Sequence, residues 1–325
     1  MTLRELVSTR RVIFFGGKGG VGKTTCAATV ALDQARGGRR VLLVSTDPAH
    51  NLGHLFGRTI GGSPVGLADN LDALEIDPER AAKEHIEAIG EHLYGLVADG
   101  MRGEVTRYLR AAAAAPGSHE AALLERVAKL TRDGLERYDL IVFDTAPSGH
   151  TSRLLSLPEA MAQWTDALLE NRQRSDKFGR AVRAMGGNPM TGDEGSPKAR
   201  RERRIRHLLY ERRELLSSLR TTLQDEAVTG FVVALAAERL PVLETIELRD
   251  QLAESHVGVL AYVVNKRSPA GAGELLEARR AMEEQWVSHL RAEVGADAVV
   301  AQAPLLPAEP VGLDALAEFG ELLFA

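Results

Sequence analysis

Short, almost continuously apolar runs recur along the chain, separated by stretches whose apolar residues return at helical spacing. Five runs read as strands buried on both faces: "RVIFFGG" from Arg11, "RVLLVSTD" from Arg40, "YDLIVFDTA" from Tyr138, "TGFVVALAA" from Thr229 and "GVLAYVVNK" from Gly258. "ADAVVAQA" from Ala296 is a weaker sixth, and "LDALEID" from Leu71 reads as a further, edge strand. Uniformly apolar strands alternating with helices predict an α/β fold, a mostly parallel sheet covered by helices on both faces. Two helical stretches, 79–137 and 153–225, interrupt that alternation. Neither is needed to build the sheet, so they are expected to protrude together as an α-helical subdomain inserted into one domain spanning 1–325.

Composition narrows the function classes. At 325 residues, 44% hydrophobic, the chain can bury a substantial core, and its net charge of −5 argues against broad affinity for nucleic acid or anionic lipid. Cys26 is the only cysteine, which excludes an intramolecular disulfide and a CxxC zinc site within one chain. The opening "MTLRELVSTRRVIFF" lacks the pattern of a secretory signal, and the longest apolar run, Ala227 to Ala237, is too short for a bilayer. The expectation is a cytoplasmic protein without an intrinsic membrane anchor.

The first strand runs into "GGKGGVGKTT", where Gly17, Gly22, Lys23 and Thr24 satisfy G-x-x-x-x-G-K-[ST] ahead of a helix. A strand, this spacing and a following helix together define a P-loop. The backbone N–H groups of Gly17 to Thr25 (through Lys18, Gly19, Gly20 and Val21) would curl around phosphate at the positive end of the helix. Lys23 would reach the β- and γ-phosphates of ATP, and the Thr24 hydroxyl would ligate Mg²⁺. Such a site needs a second acidic anchor on a neighbouring strand tip, and "LIVFDTAP" supplies Asp144, placed to hold a Mg²⁺-bound water. Cys26, just behind the loop, reads as a packing residue.

Beyond the loop, several segments together resemble one family. "GGKGGVGKT" is similar to the deviant P-loop of dimeric ATPases, and "STDPAHNLGHLFG", "FDTAPSGHTSRLLSLP" and "PLLPAEPVGLDAL" resemble the ArsA/GET family within that group. The resemblance implies a homodimeric ATPase in which Lys18 crosses the interface to phosphates bound by the other subunit. A cation that arrives only when two chains close would make hydrolysis conditional on pairing, as an arginine finger does. It further implies that Asp47 orients or deprotonates the attacking water, that Asn265 reads adenine, and that Pro304 and Leu305 cover the base. Glu238 matches a family glutamate, though Ala237 replaces the usual preceding proline. His50 and Asn51, with Gly149 and His150, fall in the two switch segments; both histidines read as packing or interface groups rather than catalytic bases.

The resemblance also implies a client or a membrane pump. Members of the family energise arsenite export or target tail-anchored membrane proteins. The arsenite-pump ATPase joins two such halves and binds metalloid through cysteines, whereas this chain has one P-loop and only Cys26. A targeting homodimer with a helical groove for hydrophobic segments fits the layout better. Yet the insert around "GGNPMTGDEGSPKARRERR" is polar, where a methionine-rich client helix would suit. The basic stretch "KARRERRIRHLLYERR" reads as a helix with Leu208, Leu209, Leu215, Leu216 and Leu219 inward and a solvated arginine face, not a DNA surface. A nucleotide-dependent switch or scaffold remains the alternative from a different class.

Overall fold

The computed structural model describes residues 1–47, 51–94, 102–113, 117–145 and 197–325. Among them, eight strands form one sheet in the order β3-β4-β2-β5-β1-β6-β7-β8. These are β1 (Val12–Gly16), β2 (Val41–Ser45), β3 (Val65–Ala68), β4 (Leu71–Glu75), β5 (Leu140–Asp144), β6 (Thr229–Ala236), β7 (Val259–Arg267) and β8 (Val300–Pro304). All neighbours run parallel except β3 and β4.

Alternate residues of each central strand face opposite ways, as the pleat requires. Val12, Phe14, Phe143, Phe231 and Val233 point into one buried cluster, and Ile13, Phe15, Val142, Val232 and Val263 into the other. On the first face, Phe14 stacks between Phe143 and Phe231, with ring centroids 4.6 and 6.4 Å away. That face is covered by α6 (Ser118–Arg137), the C-terminal half of α7 (Pro197–Gln224), α8 (Arg239–Glu254) and α9 (Glu274–Val294). The second face is covered by α1 (Leu3–Ser8), α2 (Lys23–Arg36), α3 (Asn51–Phe56) and α10 (Leu313–Leu323). Small residues let α2 lie close to the sheet: Cys26, Ala27, Ala28 and Ala31 are all fully buried. The C-terminal helix packs back on the domain, burying Leu316, Phe319 and Leu323.

Two strand readings change. "LDALEID" becomes β4, second from the edge, because Asn70 at φ +60 turns the chain so that β3 pairs antiparallel outside it. "ADAVVAQA" contributes β8, the opposite edge, beginning only at Val300.

Between β4 and β5 lie α4 (Pro78–Tyr94), α5 (Arg102–Ala113) and α6. Glu125 on α6 joins this layer: it meets His85 of α4 at 3.1 Å, Lys129 at 2.8 Å and Arg212 of α7 at 3.5 Å. Burial alone would raise the Glu125 pKa, but the hydrogen bonds from His85 and Lys129 overcome it and hold the carboxyl at about 2. Leu215, Leu216 and Leu219 are buried, as the helical reading of that segment requires. Among the described residues no helix is long and apolar enough to cross a membrane.

Candidate nucleotide-binding and hydrolysis site

The site lies at the C-terminal ends of the parallel strands, where β1 is flanked by β5 on one side and β6 on the other. Connections there diverge to opposite faces, which opens a crevice for a ligand. The P-loop occupies it. Gly17, at φ +134, lies so close to the Ala234 carbonyl that any Cβ would collide with it. Gly22 is the left-handed N-cap of α2, at φ 89, and a Cβ there would strike the Asn265 amide. With no side chain on Gly22 and no acid in its first turn, α2 presents its positive N-terminal end to the loop.

Lys23 is buried, and desolvation lowers its pKa against the opposing charges of Asp144 and Asp47. Its ammonium donates to the Lys18 carbonyl at 3.0 Å. Strand register sets Asp144, the last residue of β5, between Phe15 of β1 and Ser45 of β2. The Thr24 hydroxyl donates to Asp144 Oδ2 at 2.7 Å, and Ser45 Oγ stands 3.5 Å from the same oxygen. Asp144 Oδ1 is buried and has no hydrogen-bond partner among the described residues. Burial pushes the carboxyl up to about 7; Thr24 and Lys23 oppose that rise and Asp47 adds to it.

A buried carboxylate oxygen without a partner, beside a hydroxyl, is the environment a hard divalent cation satisfies. Thr24 and Asp144 therefore fit Mg²⁺. Asp47 follows β2, half-buried, with its N–H donating to Ser45 Oγ at 3.2 Å.

These residues open onto a cavity of about 730 Å³, in the range of small-molecule sites. Gly19, Gly20, Gly22, Lys23, Thr24, Thr25 and Asp47 line it. Asn265, Pro304 and Leu305 line it too, so the residues expected at phosphate and at base share one space. Asn265 is buried, and its amide is partly committed: Nδ2 donates to the Val21 carbonyl at 2.9 Å, and Oδ1 accepts the Lys266 N–H at 2.9 Å. One N–H and one oxygen lone pair remain uncommitted. The Leu305 N–H donates to the Arg267 carbonyl at 2.8 Å, tying the chain after β8 to β7.

A sequence model of the family described as anion-transporting ATPase matches residues 10–325. The chain belongs to that family. It is similar to the ATPase GET3 of Pyricularia oryzae, 34% identical over 320 residues that cover 96% of this chain and 90% of that protein. The ATPase GET3 of Chaetomium globosum is 33% identical over 330 residues, covering 99% of this chain and 93% of the relative. The protein is an ATPase of the GET/ArsA type.

Some residues of this ATPase stand elsewhere than a nucleotide-facing wall. Gly17, Val21 and Asp144 are buried and do not line the cavity. Lys18 turns away from its own loop, and its half-exposed ammonium meets Glu244 of α8 at 2.7 Å. Glu238 precedes α8 and accepts Arg279 of α9 at 2.8 Å. Pro48, His50, Gly149 and His150 lie outside the described residues, as does the side chain of Asn51.

Sequence reasoning passed over Ser45, His54, Glu244 and Lys266. Ser45 had a signal, a polar residue ending an apolar strand two places before Asp47, and Lys266 follows Asn265 directly. His54 and Glu244 reach the site only through packing.

Proposed function

We propose that this ATPase is a Mg²⁺-dependent homodimer that opens and closes with nucleotide state and couples hydrolysis to binding and release of a client. The observation that carries this reading is the separation of its two loop lysines. Lys23 already fills the phosphate cradle, while Lys18 points out of it toward Glu244 at the surface. A cation on the outside of a phosphate loop suits a phosphate held by a second copy of the chain. In the closed pair, Lys23 exchanges the Lys18 carbonyl for the β- and γ-phosphates, and loop N–H groups bind the remaining oxygens. Asp47 orients the attacking water and accepts its proton, and Lys18 of the partner neutralises charge that develops as the phosphate leaves. Mg²⁺, held by the Thr24 hydroxyl and through water by Asp144, would supply charge neutralisation on the phosphate oxygens.

The client is proposed to be an apolar transmembrane segment, with the protein working in the cytoplasm. The resemblance to the targeting branch and the similarity to the GET3 ATPases over nearly the whole chain support this. The test is co-purification with a transmembrane peptide followed by addition of Mg-ATP. Release that requires hydrolysable ATP is the expected result. A nucleotide-trapped structure with a charged, closed surface between paired helical layers would rule the client out. The family's description as anion-transporting favours a second reading, a subunit driving an arsenite or other anion pump. Stimulation of turnover by arsenite or antimonite would select it.

A further inference from the structure

Lys266 is the exposed residue at the otherwise buried end of β7: Asn265, Arg267 and Ser268 around it are all buried. Its φ is +58, a left-handed conformation that residues with side chains rarely adopt. Such a conformation persists where its surroundings over-determine it, and here they do. Next to it, the Ser268 N–H and hydroxyl donate to Glu283 at 2.9 and 2.7 Å, Arg267 meets the same carboxylate at 3.1 Å, and Arg280 donates to the Ser268 carbonyl at 2.7 Å. In front, Lys266 lines the nucleotide cavity, and its ammonium donates to the Gly20 carbonyl at 2.7 Å.

That last bond bears on the phosphate cradle. In a trans peptide, the C=O of one residue and the N–H of the next point in opposite directions. Holding the Gly20 carbonyl fixes the Val21 N–H. The Asn265 bond to the Val21 carbonyl fixes the Gly22 N–H in the same way. Each carbonyl held by a side chain leaves its N–H turned the other way. A carbonyl that rotated inward would instead meet the phosphate with like charge.

We infer that Lys266 is a nucleotide-positioning residue: its ammonium holds the Gly20 carbonyl and so fixes the orientation of the Gly20–Val21 peptide in the P-loop. It acts through the loop rather than on the base. The inference rests on the nucleotide site described above.

The test is calorimetric titration of Mg-ATP and of Mg-tripolyphosphate, which has no base, into the full chain. Lys266→Met keeps the stem and removes the ammonium. It should weaken both ligands by about the same factor, on the order of 5- to 10-fold for one charge-assisted bond, and Lys266→Arg should recover most of that loss. Lys266→Gly suits the positive φ and relaxes the backbone, yet it should weaken both ligands as Lys266→Met does. Wild-type affinity in Lys266→Met, weakening of ATP alone, or normal affinity in Lys266→Gly would each overturn the inference. Lys23→Ala serves as the control: if it binds ATP as the wild type does, the nucleotide site itself is misplaced, and the inference falls with it for that separate reason.

Discussion

Lys18 and Lys23 have the same side chain and opposite surroundings. Lys23 is enclosed with Asp144 and Asp47, whereas Lys18 holds an exposed ion pair with Glu244. An exposed pair is worth only about 0–1 kcal/mol, so Lys18 can leave Glu244 for a phosphate at little cost. Lys18→Ala should therefore keep ATP affinity within a few fold in calorimetry while turnover falls at least about 100-fold, the scale of a charge supplied in trans. Asp144→Asn keeps the shape but removes the carboxylate beneath Thr24. It should raise the Mg²⁺ concentration for half-maximal turnover by about 10- to 100-fold, read from a metal titration. Gly17, Lys23, Thr24 and Asp144 were legible because spacing and strand tips announce them. Lys266 and Glu244 were not, because each meets the loop across more than 200 residues of chain, through bonds that only strand order creates.

Strands were the most legible elements because burial on both faces leaves an unbroken apolar run, as in "YDLIVFDTA". β3 carries no such run: Val65 and Gly66 are exposed, and only its turn at Asn70 places it on the edge. The helices around residue 125 were legible as helices, but not as a cover for the sheet. Leu216 on α7 is fully buried against that cover. Leu216→Ala should destabilise the protein by about 2–5 kcal/mol, seen as a lower urea midpoint. Glu125 gives the layer a pH signature. Its carboxyl falls from an ordinary 4.5 to about 2 on folding, so its stabilisation is complete above 4.5 and is lost as pH falls through 2. The stability gap between the wild type and Glu125→Gln should be full at pH 6 and shrink steadily toward pH 2. A gap independent of pH would mean that Glu125 contributes only packing.

At the scale of the whole molecule, the fold gives the chain a P-loop that holds Lys23 inward and leaves Lys18 half-exposed against Glu244. In the proposed mechanism hydrolysis needs two chains, each site using its own Asp47 and its partner's Lys18. Mixing two inactive variants, Lys18→Ala and Asp47→Asn, tests it most directly. In a mixed pair, the site on the Lys18→Ala chain keeps its own Asp47 and receives Lys18 from the partner, so one of the two sites is whole. Random pairing of the variants at equal concentration should restore about a quarter of wild-type turnover. A mixture as inactive as its parts, under conditions where the chains demonstrably exchange, would contradict the claim and place Lys18 in its own chain's site.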